Sequence, residues 1–156
     1  MLHEPHFTKL QTADAAAGLE CALFYRYLDY RFPDSKFILT TRPLRDWLKS
    51  LEYVLALYPV RSQEENIPIF RRMTFAGTVS YDEAKHTEAF IRHHNEVREY
   101  FDGRPSDLLE LDLTAEPRWE KLCAFLGLTP PSAPFPHMNE HGKGQEPLPG
   151  NPSHLA

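Results

Sequence analysis

Two rhythms of apolar residues run along this chain. Phe37-Ile38-Leu39 is a short unbroken apolar run between Pro33-Asp34-Ser35 and Pro43. Such a run predicts a strand buried on both faces. Leu44, Trp47, Leu48, Leu51 and Leu55 then recur at helical spacing, with Pro43 suited to the first turn. Upstream, Leu19, Leu23 and Tyr27, flanked by Phe24 and Leu28, predict a helix over 13–32 that Asp14 caps and Pro33 ends. Downstream, Ser80 and Glu83 form a capping-box pattern. They open a long helix to about Asp102, with Ala84, Ile91, His94, Val97 and Phe101 on its inward stripe. His86 and His93 fall on more polar faces and read as solvated.

Leu109-Glu110-Leu111-Asp112-Leu113 alternates, which predicts a second strand over 107–113. Thr114 and Pro117 suit the start of a further helix with Trp119, Leu122, Cys123 and Leu126 inward and Gly127 as its stop. Strands alternating with helices predict an α/β fold with a parallel sheet. Between these elements, 58–66 reads as a break and 67–76 as a short helix carrying Arg71 and Arg72. The organisation expected is one domain over 1–139, irregular through residue 12, and a Pro-rich irregular tail over 140–156.

Composition narrows the function classes. The 156 residues are 42% hydrophobic and 25% charged, a globular balance with enough chain for a real core. A net charge of −5 argues against a general nucleic-acid binder, so any anionic ligand must meet a local cluster of basic groups. No apolar run is long enough to span a bilayer, and Met1–Leu10 is polar rather than signal-like. The expected location is the cytoplasm. Cys21 and Cys123 lie in apolar helical patterns and read as buried thiols, not as a disulfide or a metal pair. His3-Glu4-Pro5-His6 resembles a metal site by composition alone, so no metal is expected.

Candidate chemistry gathers where the first strand hands over to its helix. Ligands of open α/β sheets bind outside the carboxyl ends of the strands, and Arg42 stands at that edge. Its guanidinium is a rigid fork of donors suited to phosphate. Ser50, eight positions on, adds a hydroxyl about 12 Å along the helix. The alternative is that Arg42 pairs with a carboxylate and Ser50 is an ordinary exposed serine. His94, on an apolar stripe, is either a functional imidazole or a hydrogen-bonded core residue.

Arg42-Pro43-Leu44-Arg45-Asp46-Trp47-Leu48-Lys49-Ser50 resembles the Arg-x-x-x-Asp-x-x-x-Ser segment of sulfotransferases. The resemblance extends from Phe24-Tyr25-Arg26 through Arg42 and on to Tyr100-Phe101, Arg104-Pro105, Asp107–Glu110, Trp119–Gly127 and Pro134–Asn139. It implies transfer of a sulfuryl group from 3′-phosphoadenylyl sulfate (PAPS) to an acceptor hydroxyl or amine, with Arg42 and Ser50 holding the donor's 3′-phosphate. It also implies a partial P-loop-like three-layer α/β/α fold with a small parallel sheet. The family's opening strand and Gly-rich phosphate loop have no counterpart among the seven scattered glycines. The expectation is therefore a chain that starts late relative to the family, weak or inactive alone. A non-catalytic nucleotide-binding or assembly module derived from a sulfotransferase is the alternative. The strands at 37–41 and 108–113 would then pair directly, leave an exposed edge, or take a strand from another copy. Neither the acceptor nor a catalytic base can be named from the sequence.

Overall fold

Both strands form, and they meet each other directly. The computed structural model describes residues 10, 12–57, 77–78, 80–115 and 118–136. Among these residues it contains α1 (Leu19–Arg31), β1 (Phe37–Thr41), α2 (Leu44–Leu57), α3 (Glu83–Tyr100), β2 (Leu108–Asp112) and α4 (Arg118–Leu126). The expectations for 1–9, 58–76, Pro117 and the tail from residue 137 lie outside the described residues. The chain divides into two compact units, Met1–Glu116 and Pro117–Ala156. The architecture is mixed α/β, with four helices and a two-stranded parallel sheet among the described residues.

In the first unit, β1 and β2 run parallel in the register Phe37↔Leu108 to Thr41↔Asp112. A further bond, from the Leu113 amide to the Thr41 carbonyl at 3.0 Å, carries the ladder past the end of β2. Alternate side chains of a strand point to opposite faces. Phe37, Leu39 and Leu108 join a core with Tyr25 of α1 and Val97, Tyr100 and Phe101 at the end of α3. On the other face of β1, Ile38 is 40% exposed and Thr40 is exposed too. The expectation of a strand buried on both faces is thus corrected: β1 shows the alternation of a strand packed on one side.

Helix α1 begins at Leu19, six residues later than the apolar pattern implies. Gly18 sets the boundary: its φ of 134° with an extended ψ is open to glycine and not to a residue with a Cβ. Asp14 therefore does not cap α1. Phe24 has non-helical dihedrals and kinks the helix, and Tyr25 and Leu28 are its buried residues while Leu19 is exposed. Asp29 of α1 ties the helix to the end of α3. Its carboxylate accepts from the Tyr100 hydroxyl at 2.8 Å and from Arg104 Nη1 at 2.9 Å. The Arg104 guanidinium also lies 4.6 Å from the Phe101 ring centre.

Helix α2 buries Leu48 and Leu55, as its spacing requires, and sets the Trp47 ring 5.0 Å from Phe90 of α3. Helix α3 keeps part of the expected stripe, with His94, Val97 and the following Phe101 buried, and departs from it at its first half. His86, Ala89, His94 and Val97 are buried, whereas Ala84 is exposed and Ile91 is 48% exposed. His86 is fully buried rather than solvated, its ring stacked on Tyr81 and its Nδ1 held 2.7 Å from the Asp82 carbonyl. His93 is half-buried, and burial pushes its imidazole below the usual histidine range.

The N-cap of α3 is Asp82, whose side chain accepts from the Lys85 amide at 3.0 Å. Ser80 is not the cap; its carbonyl accepts from the Thr78 hydroxyl at 2.9 Å. Asp82→Ala is expected to lower the urea midpoint, and Ser80→Ala to leave it unchanged. Equal midpoints for the two variants would contradict this assignment.

After β2, the Asp112 carboxylate accepts from the Thr114 amide and hydroxyl at 2.7 and 2.6 Å, so Thr114 closes a turn instead of capping a helix. In the second unit, α4 buries Cys123 and half-buries Trp119, Leu122 and Leu126. It stops at Gly127, which has a φ of 71°. The Leu128 amide reaches back to the Cys123 carbonyl at 2.8 Å, as a left-handed helix end allows. Trp119 Nε1 donates to the Ala133 carbonyl at 2.9 Å. Both cysteines are free thiols; Cys21, half-buried, has its thiol pushed up chiefly by burial.

Candidate functional site

The parallel strand β1 ends at Thr41, and Pro43 starts the next helix by accepting from the amides of Asp46 and Trp47 at 2.9 and 3.0 Å. Arg42 is held between these two fixed points. It is half-buried, and its Nε is fully enclosed with no hydrogen-bond partner. No ion pair joins Arg42 to a carboxylate among the described residues. This removes the alternative in which the guanidinium serves only a described acid.

A cavity of about 200 Å³ opens beside it. Thr41 and Arg42 form one wall, and Phe90, Ile91, His94, Asn95 and Arg98 of α3 form the other. The helix supplies this wall because residues three and four apart share a face. His94 is only 7% exposed. Its Nδ1 lies 2.8 Å from the Phe90 carbonyl, an acceptor, so Nδ1 carries the hydrogen. The lone pair of the neutral ring is then at Nε2, which is buried and has no hydrogen-bond partner.

Arg98 is engaged. Its Nε and Nη2 donate to the two oxygens of Glu110 on β2 at 2.8 and 2.7 Å, a bidentate pair that spans α3 and β2. Arg98 holds the Glu110 carboxyl below the usual carboxylate range. This stabilisation is fully present above the ordinary glutamate value of about 4.3 and disappears as pH falls through the lower folded value. Both side chains are partly exposed, at 46% and 41%, so solvent weakens the pair and the contribution is small. A Glu110→Gln variant is expected to be less stable than the parent at pH 7 and equal to it well below pH 4. An unchanged gap between their urea midpoints at low pH would contradict the pairing.

Of the residues singled out in the sequence, the cavity brings together Arg42 and His94. Ser50 is half-buried, farther along α2, and is not among the lining residues. Phe90, Asn95 and Arg98 were not singled out. Their signal was their spacing around His94, at i−4, i+1 and i+4.

A profile of the sulfotransferase domain family matches residues 4–143. This chain belongs to that family. Among characterised proteins it is similar to "Ava biosynthesis cluster protein M" of Aspergillus versicolor, with 28% identity over 143 residues. That match covers 80% of this chain and 54% of the relative, so the chain spans about half the relative's length. Sulfotransferases in general use PAPS as co-substrate, an anionic nucleotide. The chemistry of the cavity fits such an anion: Arg42 offers an enclosed, unpaired N–H where a parallel strand ends. Among the described residues, no cluster of three or more His, Cys, Asp or Glu side chains is placed to hold a metal ion. No described helix is long and apolar enough to cross a membrane.

Proposed function

We propose that this sulfotransferase-family chain takes part in sulfuryl transfer from PAPS to an acceptor hydroxyl or amine, with Arg42 holding a phosphate of the nucleotide. The supporting observation is the enclosed, unpaired Nε of Arg42 at the C-terminal end of β1. When bound, PAPS supplies an activated sulfuryl group, which leaves its phosphate as it bonds to the acceptor. The residues of this chain position the nucleotide. Arg42 donates to the anion, and α3 closes the cavity around it. In this reading Ser50 contacts the nucleotide from α2, outside the cavity. The A. versicolor relative is named for a biosynthesis cluster, which fits a small-molecule acceptor.

Calorimetric titration with adenosine 3′,5′-bisphosphate tests the reading. Saturable binding in the micromolar range is expected, together with weak sulfate transfer from labelled PAPS to an acceptor panel. No heat of binding at millimolar ligand would overturn the proposal. Binding without transfer would favour the nucleotide-binding module.

A further inference from the structure

We propose that the acceptor lies in a groove on the outer face of α3, and that it is an apolar molecule about 12 Å long with a hydroxyl at one end and a cationic group at the other. The proposal rests on the reading of the Arg42 cavity as the nucleotide's. The groove, of about 700 Å³, is lined by Glu83, Ala84, Thr87, Glu88, Ile91 and Arg92. That volume falls within the range of small-molecule sites. Ala84, Thr87 and Ile91, at spacings of three and four, share one face of the helix. Ala84 is exposed and Ile91 is 48% exposed, so this face offers apolar surface to a ligand. Ile91 also lines the Arg42 cavity, so the two spaces adjoin at one side chain. Six residues of one helix face are too few for a protein partner, which needs about 800 Å² a side.

Charge decides which reactant fits. Lys85 pairs with Asp82 at 3.7 Å, and Arg92 with Glu88 at 3.2 Å. Glu83 has no ion pair among the described residues. The groove therefore sets an unopposed carboxylate beside apolar walls. That carboxylate repels an anionic nucleotide, whereas Arg42 in the adjoining cavity attracts one. The groove is left to the second reactant, and a cation at Glu83 suits it. Glu83 and Ile91 stand eight positions apart, about 12 Å along the helix. A molecule of that length, with its cation at Glu83, ends at Ile91 beside the nucleotide. There the acceptor hydroxyl forms the new O–S bond. The S–O bond to the nucleotide's phosphate breaks, its electron pair staying on the phosphate, and the hydroxyl proton passes to water.

The test is calorimetric, on the full chain mixed with excess adenosine 3′,5′-bisphosphate. The probes are aminooctanol, octanediol and hydroxyoctanoate, each with its two groups at opposite ends of the chain. The amine is expected to bind roughly threefold more tightly than the diol, and the carboxylate roughly threefold more weakly, the scale of one partly screened charge pair. Glu83→Gln should bring all three to the affinity of the diol. Ala84→Phe, which fills the groove outside the nucleotide cavity, should abolish probe binding and leave nucleotide affinity unchanged. Equal affinity of the parent protein for the three probes, or no binding of any of them, would overturn the inference; nucleotide binding in the same samples would leave the Arg42 reading standing. An order of affinities that survives Glu83→Gln would also overturn it. No nucleotide binding would overturn both. The comparison of probes on the parent decides the matter even if a variant fails to fold.

Discussion

Phe101→Ala is expected to destabilise the first unit by about 3–5 kcal/mol, the usual range for deleting a buried aromatic ring. Phe101 is 4% exposed and sits where α1, β1 and the end of α3 meet. Its ring lies 5.0 Å from Phe37 of β1, 6.3 Å from Tyr25 of α1 and 5.0 Å from Tyr100 of α3. The Arg104 guanidinium covers it at 4.6 Å. Truncation would remove the contacts of α1 and of the sheet together, and these rigid rings collapse poorly into the space left behind. A domain of this size has only about 5–15 kcal/mol in total. Much of the variant population should therefore unfold on mild heating. A urea midpoint within 0.5 M of the parent would show that Phe101 is not the keystone of this core.

Arg42→Ala is expected to weaken adenosine 3′,5′-bisphosphate at least a hundredfold, the scale of a charge-assisted hydrogen bond lost from an enclosed site. Stability should change little, because Arg42 makes no ion pair with any described residue. Arg42→Lys should recover part of the affinity, since an ammonium supplies charge without the forked donor set. Glu110→Gln serves as a control on the same ladder of residues: it frees Arg98 and should leave nucleotide affinity unchanged or slightly improved. An Arg42→Ala protein that binds as tightly as the parent would move the anion site elsewhere in the molecule.

The elements that sequence pattern reached are those whose burial follows hydropathy. Leu48 and Leu55 of α2, the alternation through Leu111, and the stop at Gly127 all needed only local rules. Helix α3 defeated the same reading because its buried stripe is built partly of imidazoles. His86 takes a core position that the pattern assigned to solvent, beside the expected His94, while Ile91 and Ala84 stand outside. The Nδ1 atom of each ring is accommodated by a backbone carbonyl one turn earlier, at Asp82 and Phe90, a pairing that spacing allows but does not announce. The start of α1 was hidden for another reason: the dihedrals of Gly18 depend on the path of the chain around it.

The site was legible in part. The place of Arg42 followed from a strand, a proline and a helix in succession, and the family match agrees with the resemblance carried by those residues. The opposite wall was not legible, because Arg42 and Arg98 lie 56 positions apart and meet only through tertiary packing. The partnership of Arg98 with Glu110 could have been suspected from their opposite charges, though not from any periodicity.

A parallel pair of five-residue strands is too small to persist by itself. Its hydrogen bonds last because Tyr25, Val97 and Phe101 shield one side of it. The ladder and the helix behind it must consequently melt as a single cooperative block, and the guanidinium at the strand's tip keeps its aim only while that block is intact. If Arg42 holds the nucleotide as proposed, recognition is thermodynamically tethered to folding: whatever loosens the aromatic packing also blurs the geometry offered to the ligand.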